Sequence, residues 1–277
     1  MPWPFEREFM QIALVAGLVV GACAPLIGTF LVQKRMSLMG DGIGHLAFAG
    51  VSIGLVTDVW PIWSALAVAV AGAVAIELLR SHGTTSGDLA LALAFYGGIA
   101  LAVVVMSRAD AGGATVLPYL FGSLLTVTWS EVVVVVVLGA VIVTTILVTG
   151  RALFAIVLDE ESARVAGLPV DALNTVLAAL TAVTIVAAMR IVGVLLVAAL
   201  MVVPVATSRL FARSFSATLL GAVAAAVVSV VAGLAAARVW ELRPGGAIVL
   251  TAIVAFALTA LAAGVARRSR AGAVLPG

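Results

Sequence analysis

Two residues of metal-binding type, Asp41 and His45, stand four positions apart inside an apolar stretch. In a helix that spacing stacks carboxylate and imidazole on one face, a single turn apart. A carboxylate oxygen and an imidazole nitrogen suit a borderline divalent cation such as zinc, manganese or iron(II), and the lack of a thiolate keeps such binding labile. An ionisable group within a membrane segment costs about 2.5–3.5 kcal/mol on insertion, so a pair retained there points to function. A helix-start aspartate beside a packed histidine would have the same spacing. Gly40, Gly42, Gly44, Gly50 and Gly54 share the segment, and small residues at such intervals let another backbone approach closely.

Other chemistries fit less well. Gly50-Val51-Ser52-Ile53-Gly54 matches the nucleophile pattern G-x-S-x-G. His45, however, lies about 10 Å away along the same helix, and His82 falls in a loop after the third apolar run. A serine without a base in reach is not activated, which argues against an enzyme. No G-x-x-x-x-G-K-[ST] loop occurs, so ATP hydrolysis by the usual phosphate cradle belongs to another chain. The lone Cys23 excludes an internal disulfide and reads as a small packing residue.

The elements that must position the pair are membrane helices. Of 277 residues, 64% are hydrophobic and only 10% charged, a balance that requires a bilayer as solvent. A net charge of +2, with basic residues scattered between apolar runs, gives no footprint for nucleic acid. Apolar runs fall near 9–33, 41–57, 62–79, 87–107, 131–150, 172–189, 191–208, 217–238 and 246–265, each about the length that crosses roughly 30 Å of hydrocarbon. The connection at Arg190 is so tight that its flanking runs read as short or broken helices, and eight full spans is the alternative count. The expected fold is an all-α polytopic membrane protein of eight to nine helices, with residues 1–277 forming one transmembrane domain. Its first run reads as a retained helix, not a cleaved leader.

Lys34, Arg35, Arg80, Arg151, Arg164, Arg209, Arg213, Arg267, Arg268 and Arg270 fall on one side of nine spans, and Arg7, Arg108, Arg190, Arg238 and Arg243 on the other. That bias predicts an external N-terminus and a cytoplasmic C-terminus. Trp60 and Trp63 then serve as interfacial anchors, and the 267–270 cluster as an inner-leaflet stop. Asp88 is expected to cap the fourth span, and Glu77 to pair with Arg80 or reach headgroups. Arg190 reads as an interfacial anchor, and His82 as an exposed loop residue.

Four ordered motifs resemble the metal-cation permeases of ABC importers, the zinc and manganese class. They are Gln33-Lys34-Arg35-Met36-Ser37-Leu38-Met39-Gly40-Asp41 leading to His45; Pro118-Tyr119-Leu120-Phe121-Gly122-Ser123-Leu124; Val192-Gly193-Val194-Leu195-Leu196 running to Pro204-Val205-Ala206-Thr207-Ser208-Arg209-Leu210; and Gly245-Gly246-Ala247-Ile248-Val249-Leu250. The resemblance covers almost the whole chain. It implies that Asp41 and His45 lie on the metal path, with zinc the favoured cargo and manganese or iron the alternatives, and no permanently bound cofactor. It also implies cytoplasmic ABC ATPase subunits, an extracytoplasmic metal-binding protein and a second permease copy in a bacterial inner membrane. Two copies about a twofold axis would offer two carboxylates and two imidazoles.

ATPase coupling needs a short polar break at the cytoplasmic face, and two segments qualify. One is Ser208 to Ser216 with Arg209 and Arg213, which resembles the coupling region of related importers. The other is Asp159 to Gly167 with Glu160 and Glu161, whose acidic start and closing glycine predict a small capped helix. A stand-alone secondary carrier is the rival reading, but it calls for a coupling-ion site and usually an inverted repeat, neither visible in the sequence.

Overall fold

In the computed structural model, residues 5–81, 87–108, 116–123 and 127–272 are described, and among them every regular element is a helix. The order is α1 (Glu8–Gln33), α2 (Met39–Val56), α3 (Pro61–Ser81), α4 (Gly87–Met106), α5 (Leu117–Phe121), α6 (Trp129–Leu158), α7 (Glu160–Val165), α8 (Val170–Ala188), α9 (Val194–Arg209), α10 (Phe215–Val239) and α11 (Pro244–Gly272). Eight of these are long and apolar enough to cross a membrane, and α9, with 16 residues, is a shorter apolar ninth. Nine apolar helices therefore match the nine runs of the sequence. His82, residues 109–115 between the fourth and fifth expected runs and Leu124 lie outside the described residues.

Contacts at the helix ends fix an alternating course. Trp129 Nε1 donates to Glu8 Oε1 at 3.2 Å, so α6 begins beside the start of α1, at what we term the upper end. Lys34 Nζ meets Glu160 Oε2 at 3.1 Å, which joins the finish of α1 to the finish of α6 at the lower end. Arg190, just past α8, reaches Glu131 near the start of α6, so α8 climbs and α9 descends.

Local sequence explains the boundaries. Thr128 caps α6 through a capping box with Glu131: the Glu131 N–H donates to the Thr128 hydroxyl and the Thr128 N–H to Glu131 Oε2. The expected end at residue 150 is overrun by eight residues to Leu158. Thr145 and Thr149 do not break the helix because their hydroxyls donate to the carbonyls of Val141 and Thr145, one turn back. The small capped helix expected after Asp159 is α7: Asp159 Oδ1 accepts from the Glu161 and Ser162 N–H groups, and Gly167, at φ +84°, ends it. The five-residue α5 was not anticipated.

Glycine sets how closely the helices pack. In α2, Gly40 and Gly44 abut Ala198 and the Val194 carbonyl of α9, Gly42 the Leu91 carbonyl of α4, and Gly50 the backbone of Ser64 and Ala65 in α3. Thus α2 is gripped on three sides, and its glycines work as packing contacts. Trp60 and Trp63 sit half-exposed and edge-on to each other at the upper end of α3, as interfacial residues would. Buried Cys23 directs its thiol at the Gly139 carbonyl of α6.

Candidate functional site

Asp41 occupies the first turn of α2 and His45 the next, both half-buried. The His45 ring meets Phe95 of α4 edge-on, with centroids 4.2 Å apart. Its main chain is held from the same side, because Gly98 of α4 lies so close that a Cβ there would strike the His45 carbonyl. A cavity of about 280 Å³ opens between α2 and α4, lined by Leu38, Asp41, Gly42, Asp88, Leu91, Ala92, Phe95 and Tyr96. Asp88 stands inside the first turn of α4, one residue past its start, not ahead of it as a cap would. Its exposed carboxylate faces the cavity that Asp41 lines. Among the described residues no three His, Cys, Asp or Glu side chains come together to hold a metal. Ser52 is buried and donates to the Phe48 carbonyl of its own helix, which leaves the G-x-S-x-G pattern without a base.

The second and fourth motifs and the start of the third converge at the upper end. Gly122 and Gly193 have φ +73° and +88° with extended ψ, a region that only glycine occupies readily. Gly122 presses on the Ile191 carbonyl, Gly193 on Leu120, and Gly245 on the carbonyls of Val192 and Phe121. Backbone from α5, the α8–α9 turn and the start of α11 is thereby knitted together. Arg190 departs from the expected interfacial anchor. It is buried, its Nε lies 2.7 Å from Glu131 Oε1, and its guanidinium stacks 4.6 Å from the Tyr119 ring centroid. The sequence signal was Glu131, an acid at the head of an otherwise apolar run.

The four residues expected to face an ATPase divide. Arg209 closes α9 and Arg213 follows in the turn to α10, both exposed, with Phe211 60% exposed between them. Glu161 is exposed on α7, whereas Glu160 turns inward to Lys34 and Asn174. Burial alone would raise the Glu160 carboxyl, but the Lys34 ammonium and the Asn174 amide outweigh it and hold the carboxyl below the usual glutamate range. Burial pushes the Lys34 ammonium below the usual lysine range, and Glu160 offsets only part of that. The Glu77–Arg80 pair forms as expected, at 2.7 Å.

Eight long apolar helices, a shorter ninth and a polar pair on a glycine-gripped inner helix make a bundle of multi-pass membrane type. The model of the ABC 3 transport family matches residues 6–263, and the chain belongs to that family. It is 30% identical over 251 residues to the manganese transport system membrane protein MntC of Halalkalibacterium halodurans, covering 91% of this chain and 86% of that one. It is 26% identical over 252 residues to the high-affinity zinc uptake system membrane protein ZnuB of Haemophilus influenzae, covering 91% and 97%. The structure of PsaBC from Streptococcus pneumoniae in complex with Fab superposes with a TM-score of 0.83 at 27% identity, covering 92% of this chain and 91% of that one. The motif resemblance and the all-helical permease fold read from the sequence are thus both borne out.

Proposed function

We propose that this chain is the membrane-spanning subunit of an ABC importer that carries a divalent transition-metal cation, zinc foremost, into a bacterial cell. The observation that carries this reading is the Asp41–His45 pair, one turn apart on a helix pinned by close backbone contacts. One oxygen and one nitrogen donor replace part of the cation's water shell, and the absence of thiolate lets the ion leave again. A second copy facing the first would complete four N/O donors, a set that suits tetrahedral zinc better than manganese, which favours six oxygens. The named relatives include both a zinc and a manganese system, and manganese or iron is the alternative cargo.

The excess of Lys and Arg supports a cytoplasmic lower end and an external N-terminus. At that lower end α7 and the 209–213 turn are the surfaces for cytoplasmic ATPase subunits. The α7 segment is favoured as the main contact, because Val165, outside the apolar spans, stands 86% exposed on the same short helix as the exposed Glu161. An extracytoplasmic metal-binding protein would deliver the cation to the upper end. The test is metal uptake by Asp41→Ala and His45→Ala transporters with zinc, manganese and iron side by side. Each variant is expected to lose at least about tenfold in import of the native cargo, as loss of one ligand from a four-donor site would cause. Normal import of every metal by both variants overturns the assignment.

A further inference from the structure

Four ionisable side chains from segments distant in sequence meet at the lower end. Lys34 follows α1, Glu77 and Arg80 end α3, Glu160 opens α7, and Asn174 of α8 lies among them. Lys34 Nζ approaches Glu160 Oε2 at 3.1 Å and donates to Asn174 Oδ1, while Asn174 Nδ2 donates to Glu160 Oε1 at 3.2 Å, which closes a triangle. The Lys34 side chain is only 7% exposed, so its ammonium has exchanged water for these partners. Two cations and two carboxylates cancel. The remaining crevice among Lys34, Met36, Met39, Glu77, Arg80 and Asn174 measures about 10 Å³, no more than a single water could use.

The segment that carries Lys34 is held by local backbone hydrogen bonds. Arg35 adopts φ +59°, Met36 N donates to the Leu31 carbonyl at 2.9 Å, and Met39 N to the Met36 carbonyl at 3.0 Å, so residues 34–38 form a tight turn straight into α2. Asp41 follows within the first turn of that helix. We propose that Lys34 is a positioning residue for transport: its grip on Glu160 makes α7 and the α1–α2 turn move as one body, so a displacement imposed on α7 reaches the helix that bears Asp41. This rests on the reading of α7 as the ATPase contact. Were α7 to swing away alone, a buried ammonium would be left without its carboxylate, a strongly unfavourable state. Arg80 makes that state worse, since it adds a like charge nearby and its own bidentate partner is Glu77.

The experiment uses the whole transporter, permease with its ATPase subunits and binding protein, reconstituted in vesicles with zinc, and reads both import and ATP hydrolysis. Lys34→Met and Glu160→Gln are each expected to lower cations imported per ATP by about tenfold, within the usual span of coupling free energies, with ATP hydrolysis changed by less than about twofold. The exchanged pair Lys34→Glu with Glu160→Lys is expected to recover most of the import ratio, and Lys34→Arg to retain it. Amide hydrogen exchange of residues 160–165 and 34–41 should rise together in the single variants. An unchanged import ratio, or an exchanged pair that restores nothing, overturns the link. Val165→Asp separates the two readings. Loss of ATPase assembly upholds α7 as the contact, and normal assembly overturns that reading whatever the Lys34 variants do.

Discussion

The two ends of the bundle are closed by different physics. At the upper end, main chain meets main chain at Gly122, Gly193 and Gly245, and the Arg190–Glu131 charge pair is buried on both sides at 9% and 7% exposure. At the lower end the closure is made by side chains, with Lys34, Glu160 and Asn174 bridging three segments and Glu77–Arg80 beside them. Steric closure has one arrangement and fails when a methyl group is added. Ionic closure can be weakened by degrees, by charge or by solvent. On the proposed reading the lower end is the ATPase face, and its side-chain contacts join α7 to the α1–α2 turn across segments far apart in sequence.

The sharpest way to break the comparison is to add carbon at the upper end. Gly122→Ala and Gly193→Ala each combine a disallowed backbone region with a Cβ driven into a carbonyl, and each is expected to cost roughly 2–6 kcal/mol. Folded yield and thermal unfolding in detergent measure this. Gly246→Ala, whose Cβ would meet nothing within 4 Å, is the control and should be neutral or slightly stabilising. Equal tolerance at all three positions would show that the upper end is not closed by steric contact.

Next in size is the buried pair. Arg190→Met strands the Glu131 carboxylate and is expected to cost about 3–5 kcal/mol, whereas Arg190→Met combined with Glu131→Leu should return close to wild type. A double variant no better than the single one would mean that the pair specifies the α8–α9 turn, not merely its own neutrality.

What was legible in the sequence follows the range of the interactions. The nine apolar runs are local averages, and α7 is written in adjacent residues, the Asp159 cap and the Gly167 terminus. The Asp41–His45 pair is equally local, one turn of one helix. Its cavity was not legible, because Asp88 and Phe95 come from another helix and nothing in their own neighbourhood announces it. Arg190 was misjudged for the same reason: its partner lies 59 residues upstream, and a lone arginine between apolar runs looks like an anchor until Glu131 is brought to it. Lys34 and Glu160 are 126 residues apart. Glu160 was therefore grouped with Glu161 as a partner-facing acid, although in the fold it faces inward. The extension of α6 past residue 150 was hidden by Gly150 and Arg151, a glycine followed by a charge that reads locally as the end of an apolar helix.

The smallest expected effect sharpens the comparison from the lower side, through pH. Two carboxyls anchor α7. Asp159 is held below the usual aspartate range by the Ser162 hydroxyl and by the Ser162 and Glu161 N–H groups, and Glu160 is held low by Lys34 despite its burial. A carboxyl depressed in the folded state contributes stability that is fully present above its unfolded value, ordinarily about 4, and is lost as pH falls through the lower folded value. Docking of α7 should therefore be constant from neutral pH down to about 4 and loosen only below it. Hydrogen exchange of amides 160–165 as a function of pH reads this directly, after correction for intrinsic rates. Asp159→Asn keeps an accepting cap but removes one titration, so its profile should loosen over a narrower acid range than wild type. The upper end, knitted main chain to main chain at Gly122, Gly193 and Gly245, should not change over the same interval. Loosening of α7 near neutral pH would show that its carboxyls are not held low, and the electrostatic account of the lower end would then fail.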